Sequence, residues 1–258
     1  MQFQTLSYSL NEGILHVKLS RPEKRNAIDF QMFSDIEQCF SKVAAQPDVK
    51  VVLLSGEGKG FSAGTDLIAI GKVDRPDVQR YAHQAQKAYN EIENLEKVVI
   101  ALIHGFCLGI GLEMALACDM RICSDDTFFN LPEVKVGLVP DGGASQRLPR
   151  IVGIGRAKEL ILTGKTIDAA VAERWGMVNQ VVKPQDLMST GITWAKEIAN
   201  NGLLATGLSK RNIDLSFSQS INEGLEGAVT AQCIASSDEG FRKLIEQRFS
   251  DRVKDKKA

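Results

Sequence analysis

A chain of 258 residues is long enough to bury a full core, and its 44% hydrophobic and 24% charged residues are those of an ordinary globular protein. Its 31 Lys and Arg against 32 Asp and Glu leave a net charge of -1, so no global field draws it to nucleic acid or to an anionic membrane. Any anionic ligand must be held locally. No apolar run approaches the roughly 20 residues of a membrane span, and "MQFQTLSYSLNEG" lacks the pattern of a secretory or transit leader. The five cysteines form no C-x-x-C pair and have mostly apolar neighbours, which suggests reduced core thiols in a cytoplasmic protein.

In chain order, "FQTLSYSL" and "GILHVKLS" around "NEG" read as a hairpin. After "RPEKRNAI", Asp29 is placed to cap a helix whose apolar positions are Phe30, Phe33, Ile36, Phe40 and Val43. "VKVVLLSG" reads as a buried strand, "GEGKGFSAG" as a glycine-rich loop, 77 to 96 as a polar helical segment and "VVIALIHG" as a second buried strand. That order predicts an α/β domain whose strands are covered by helices. From about residue 143 amphipathic segments dominate (143–151, 155–163, 168–174, 185–200 and 218–248), with one short strand in "GMVNQVV". No flexible linker separates this helical portion, so it is expected to pack on the core.

Several motifs fail on inspection. "GIGLEM" puts Met114 where a dinucleotide fingerprint needs its third glycine, and "LTGKT" has Glu159 where a P-loop needs its first. His16, His83 and His104 fit no H-E-x-x-H pattern, and no metal site is expected. "GFSAG", residues 60 to 64, matches the G-x-S-x-G nucleophile elbow literally. Yet "GEGKG" separates it from the strand, and few residues precede it. A glycine loop with an incidental serine is preferred to a serine hydrolase.

"HGFCLGIGLEMALACDMR" places Glu113 in the first turn of an otherwise apolar helix. A carboxylate there complements the helix dipole, but surrounded by Leu112, Met114, Ala115 and Leu116 it is buried, at a cost of several kcal/mol unless hydrogen-bonded or protonated. "FFNLPEVKVGLVPDGG" then supplies Glu133 after a proline and Asp141 in a Pro-Asp-Gly-Gly turn. Each of these also suits a helix start or a turn. Whether the three carboxylates converge is not decided by spacing.

Together, "KRNAI", "GKGFSAGTDL", "ALIHGFCLGIGLEMALACDMRI" and "FFNLPEVKVGLVPDGGASQRLPRIVG" resemble the crotonase superfamily of enoyl-CoA hydratases and isomerases, over essentially the whole chain. The resemblance implies an α/β, crotonase-like spiral of β-β-α turns with a helical C-terminal trimerisation region. Residues 1–195 would form the acyl-CoA-binding core, and 196–258 a helical region packed on it as part of one functional unit. It implies an acyl-CoA thioester substrate, coenzyme A entering only as part of that substrate with no other cofactor, and a homotrimer or a hexamer made of two trimers. Neither nucleic acid nor membrane is implied as a partner.

By the same resemblance the thioester carbonyl would sit between the backbone N–H groups of Ser62 and Ile110, where fixed donors stabilise enolate charge. The family usually has three consecutive glycines where this chain has Gly109-Ile110-Gly111. Glu113 and Glu133 match the two hydratase glutamates, one activating water for C3 and the other delivering a proton to C2. Asp141 stands where isomerases of the family carry a proton-shuttling acid. Arg25, Ala27, Ala63, Gly64, Thr65 and Asp66 match the CoA-binding segments, with Lys24 beside them suited to phosphates. Residues 67 to 80 would line the acyl end. Gln247 replaces a lysine common in the family, and "RVKDKKA" reads as a solvated tail. Hydration is ranked first and migration of a double bond, using Glu133 and Asp141, second. A noncatalytic oligomer binding CoA esters or RNA, or a serine-type thioester hydrolase, are the remaining readings.

Overall fold

The computed structural model describes residues 2–66, 68 and 75–246. Half of the segment expected to line the acyl end (67 and 69–74), together with Gln247 and the C-terminal tail, lies outside the described residues.

The hairpin forms as the alternation predicts. Strands β1 (Leu6–Asn11) and β2 (Ile14–Leu19) pair antiparallel from Asn11–Ile14 to Leu6–Leu19. Glu12 and Gly13, both at positive φ, make the two-residue turn whose twist matches the strands. Asp29 caps α1 (Phe30–Ala44), its carboxylate accepting from Met32 N–H at 2.9 Å. Strands β3 (Val51–Gly56) and β4 (Val98–Ile103) are apolar on both faces and run parallel, with α2 (Arg75–Glu93) between them in sequence.

Strand β5 (Phe106–Leu108) then leads into α3 (Ile110–Ala117), buried along its whole length. After β6 (Met120–Ser124) and β7 (Phe128–Asn130), Glu133–Val136 forms a 3-10 turn behind Pro132. Helices α4 (Ala144–Val152) and α5 (Ile154–Thr163), strand β8 (Thr166–Asp168), α6 (Ala169–Arg174) and β9 (Gln180–Val182) follow. The chain continues with α7 (Leu187–Ala199), α8 (Leu203–Leu215) and α9 (Ile221–Ser237).

Two sheets result. The larger has the order β1-β2-β3-β4-β6-β9, and the smaller, β5-β7-β8, is built from the strands that follow β4 and β6. The repeated step from a long strand to a short strand to a helical turn is the β-β-α spiral expected above. Alternate residues of β3 face opposite sides. Val52 and Leu54 join the main core with α1, α2 and α3, while Val51 and Leu53 face α7 through Leu187 and Ala195. Residue 195, where the sequence reading divides core from helical region, therefore lies inside a helix packed on the sheet.

Helix α8 was not anticipated. Among the described residues it buries only Gly207, which lies against the Glu96 carbonyl, so it shows no apolar stripe. Its anchor is polar: Lys210 Nζ reaches Asp119 at 3.0 Å. The thiols of Cys39, Cys107, Cys118 and Cys123 are buried and free, whereas Cys233, on α9, is exposed rather than a core thiol.

Candidate active site

Gly109, at the N-terminus of α3, adopts a φ of +50° and accepts at its carbonyl from the N–H groups of Leu112 and Glu113. Its own N–H donates to the Asn130 carbonyl on β7, which ties the start of α3 to the strand leading to Glu133. A β-carbon on Gly109 would lie 2.9 Å from Glu133 Oε1. Glu113, one turn into α3, is 1% exposed. Its Oε2 accepts from Gly142 N–H at 3.0 Å and its Oε1 from Ala144 N–H at 2.8 Å. Gly142 also has no room for a side chain, because a β-carbon there would meet Glu113 Oε2 at 2.9 Å and Tyr89 Cε2 at 3.0 Å.

Glu113, Glu133 and Asp141, up to 28 residues apart in sequence, thus converge where α3, the 3-10 turn and the loop before α4 meet. Burial, with smaller contributions from Glu133 and Asp141, pushes the Glu113 carboxyl up to about 7 against the two N–H donors that favour its ionised form. Burial raises Glu133 and Asp141 too, and Asp141 adds to the rise at Glu133. Glu133 Oε2 is buried without a hydrogen-bond partner among the described residues. A carboxylate oxygen left bare is costly, so this one suits a carboxylic acid or a grip on a bound molecule.

The glycine-rich loop overturns one expectation. The N–H of Ser62 donates to the Phe106 carbonyl at 3.2 Å, so it is spent inside the fold and does not face a ligand. The Ser62 hydroxyl donates to the Asn26 carbonyl at 2.8 Å and accepts from Gly64 N–H at 3.1 Å. None of its bonding partners is a histidine; His104 bonds the Gly58 carbonyl and His16 the Ser55 hydroxyl. Both the oxyanion and the nucleophile roles considered for Ser62 fail on these bonds.

Three residues on, Ile28 brackets Thr65 in a parallel bridge: Ile28 N–H donates to Gly64 O at 2.8 Å, and Asp66 N–H donates to Ile28 O at 3.0 Å. In such a bridge the bracketed residue turns its own N–H to the opposite side. Gly64 abuts Leu108 and Gly109, where an added β-carbon would lie 2.8 Å from Leu108 O. The Thr65 peptide therefore adjoins the start of α3, whose first N–H groups, Ile110 among them, have no intrahelical partner. Tyr89 fixes that start by donating from its hydroxyl to Ile110 O at 2.9 Å.

The loop carrying Arg25 and Ala27 is stitched to the same place by Ala63 N–H donating to Arg25 O at 3.0 Å. Arg25 is exposed, at φ +54°. Asp66 faces Arg21 at 3.6 Å, and Arg21 also reaches Asp29 at 2.8 Å and Ala27 O at 2.7 Å. Sequence reasoning passed over Arg21, and equally Asn26. The latter is fully buried and donates from Nδ2 to the carbonyls of Glu57, Gly60 and Phe61. The signal for both lay in "SRPEKRNAI", a turn too polar to be a mere link between apolar elements.

A buried carboxyl, Glu113, with the half-buried acids Glu133 and Asp141 beside it and unspent N–H groups at a helix start, defines an acid–base site for a substrate that develops oxyanion charge. The chain belongs to the enoyl-CoA hydratase/isomerase family, whose sequence profile it matches over residues 9–252. It is 35% identical to the short-chain-enoyl-CoA hydratase of Clostridium acetobutylicum over 237 residues, which is 90% of this chain and 91% of that protein. It is also 36% identical over 235 residues to the mitochondrial Delta(3,5)-Delta(2,4)-dienoyl-CoA isomerase of Rattus norvegicus, covering 86% of this chain and 72% of that one. The crystal structure of an enoyl-CoA hydratase from Bacillus anthracis superposes with a TM-score of 0.93 at 30% identity, covering 96% and 97% of the two chains.

Proposed function

We propose that this protein is an enoyl-CoA hydratase, adding water across the C2=C3 bond of a 2-enoyl-CoA. The observation that carries the reading is the unequal bonding of Glu113 and Glu133. Glu113 receives two backbone N–H bonds, which suit an anion able to take a proton from water as its oxygen attacks C3. Glu133 has a bare buried oxygen, which suits an acid that gives its proton to C2. Water is consumed, C3 gains its oxygen and C2 a hydrogen, and proton exchange between the carboxyls restores the starting state. The titration then belongs to the pair.

The thioester oxygen is assigned to the N–H groups of Ile110 and Thr65, with the positive end of α3 behind it. Losing one such donor typically costs about 3 kcal/mol of transition-state stabilisation. The CoA moiety is assigned to Arg25, Ala27, Ala63 and Gly64, with Asp66 buttressing that loop through Arg21. The reaction needs no cofactor beyond the coenzyme A of the substrate.

Assembly into a trimer, or a hexamer of two trimers, through the 196–258 region belongs to the same reading. The exposed Phe217, Ile221, Leu225 and Val229 on and before α9 support it. The free thiols support a cytoplasmic setting.

Mixing the protein with crotonyl-CoA, and with longer enoyl thioesters, and following loss of the enoyl absorbance with product identification tests the proposal. Failure to form a 3-hydroxyacyl-CoA at any chain length overturns it. The second reading, a dienoyl- or enoyl-CoA isomerase working through Glu133 and Asp141, is favoured by the half-buried place of Asp141 beside the pair. It predicts conversion of a 3,5-dienoyl-CoA to the 2,4-isomer.

A further inference from the structure

Arg147 lies in α4 and is 9% exposed. Its Nε and Nη2 form a fork on Glu93 at 3.0 and 2.7 Å, Nη2 also donates to Asn90 Oδ1 at 2.9 Å, and Nη1 donates to the Gly142 carbonyl at 3.0 Å. A partly buried ion pair such as this contributes little net stability over an apolar replacement, because desolvating the charges offsets their attraction. Its place in the fold is better explained by what it grips.

What it grips is the peptide between Gly142 and Gly143, and the peptides on either side of that one supply the two N–H donors to Glu113. The preceding peptide gives Gly142 N–H to Oε2, while its carbonyl, Asp141 O, accepts from Gln86 Nε2 at 2.7 Å. The following peptide gives Ala144 N–H to Oε1, while its carbonyl, Gly143 O, accepts from Arg147 N–H at 2.9 Å. A peptide bonded at its carbonyl is a stronger donor at its N–H. Gly143 shows how closely the guanidinium is seated: at φ +119°, an added β-carbon would fall 2.1 Å from Nη1.

We infer that Arg147 is a positioning residue for Glu113: the Glu93 fork fixes the guanidinium, the guanidinium fixes the Gly142 carbonyl, and the turn thereby holds both N–H donors on the carboxylate. The role assigned to Glu113 rests on the hydratase reading; the geometric claim about the turn does not. Arg147 reaches the carboxyl through backbone, not as a neighbouring charge. The charged groups sharing the cavity behind Arg147 are Glu93 on α2, Asp119 and Arg121 around β6, Arg150 on α4, and Lys210 and Asp214 on α8. Those acting on Glu113 from its own side are Glu133 and Asp141, and none of them bonds the Gly142–Ala144 turn through its side chain.

The test uses the full chain as Arg147→Met and Glu93→Gln, read in two ways. Carbon-13 carboxyl titration follows Glu113 directly, its resonance assigned by its loss in Glu113→Gln. The pH profile of kcat and KM on an enoyl-CoA follows its consequence. In Arg147→Met the Glu113 midpoint is expected to rise by about one pH unit, as bonds favouring the anion loosen. A drop in kcat of roughly 10- to 100-fold is expected, with KM changing far less. Glu93→Gln should shift both in the same direction by less, and Arg147→Lys, which keeps a cationic donor for Gly142 O, should restore part of the loss.

An unchanged Glu113 midpoint in folded Arg147→Met overturns the proposal, whatever its melting temperature. If Arg147→Met does not fold, Glu93→Gln decides in its place, and a wild-type midpoint and kcat there overturn it equally. If the wild type hydrates no enoyl thioester, the functional reading fails, and the titration still decides whether Arg147 positions the turn.

Discussion

Gly109 and Glu133 exclude any side chain between them: a β-carbon on the glycine would sit 2.9 Å from Glu133 Oε1, at a backbone φ of +50° that L side chains rarely adopt. The same residue begins α3 and passes its N–H to Asn130, so one position sets both the helix start and the seat of the second carboxyl.

Gly109→Ala therefore meets strain and a clash together. Strain of about 1–3 kcal/mol from the left-handed backbone lowers the unfolding midpoint. Displacement of Glu133 and of the Ile110 N–H is expected to cut kcat by roughly 100-fold, the scale on which a 1 Å misplacement acts. Urea unfolding with single-turnover kinetics separates the two. Wild-type kcat in a folded Gly109→Ala protein would mean that Glu133 does not take part.

Glu113 gives the protein a pH-dependent stability of predictable sign. Folding raises its carboxyl from an ordinary value of about 4.3 to about 7. A raised acid binds its proton more tightly in the folded state, so its contribution is complete below pH ~4.3 and is lost as pH climbs to about 7. The loss is about 4 kcal/mol, at 1.36 kcal/mol per unit. Glu113→Gln removes that slope while introducing a fixed cost, since an amide faces two N–H donors with one oxygen. The difference in unfolding free energy, wild type minus variant, should therefore shrink from pH 5 to pH 8. A difference independent of pH excludes an elevated Glu113.

Ser62→Ala separates the literal motif from the structure. Its hydroxyl bonds the Asn26 carbonyl and takes Gly64 N–H, so losing it costs about 1–3 kcal/mol of stability. Hydration should stay within severalfold of wild type, since neither its hydroxyl nor its N–H is aimed at a substrate. A collapse of turnover with intact folding would return the serine to the chemistry.

What the sequence disclosed and what it concealed divide along the range of the interactions. Asp29 as a cap, the Asn11–Ile14 hairpin and the burial of Glu113 follow from neighbours within a turn or two, and all were legible. The engagement of the Ser62 N–H depends on Phe106, 44 residues away, and no spacing within "GFSAG" reveals it. The three-residue strands β5, β7 and β8 are too short for alternation to register and exist because they pair with one another. Nothing within "SQRLPRI" marks Arg147 as buried. Only Glu93 and Asn90, more than 50 residues earlier, make it a buried clamp.

Asp141 separates the two chemistries that the family combines. Its carbonyl is held by Gln86 and its following N–H serves Glu113, so the backbone of this residue belongs to the site whichever reaction runs. Only the side chain is in question, and Asp141→Asn changes that with little change of shape. In a hydratase, water and proton are handled by Glu113 and Glu133, and the substitution removes one of the charges that raise Glu113. The acid limb of the kcat/KM profile should then move to lower pH, with the maximal rate within about threefold of wild type. In an isomerase the carboxyl itself carries a proton along the acyl chain, and losing a general acid–base group costs 10²- to 10⁴-fold. Measuring the wild type and Asp141→Asn on crotonyl-CoA and on a 3,5-dienoyl-CoA gives the answer: collapse of the variant on the diene with hydration absent from the wild type assigns isomerisation. Retained hydration with a shifted acid limb assigns the pair of glutamates.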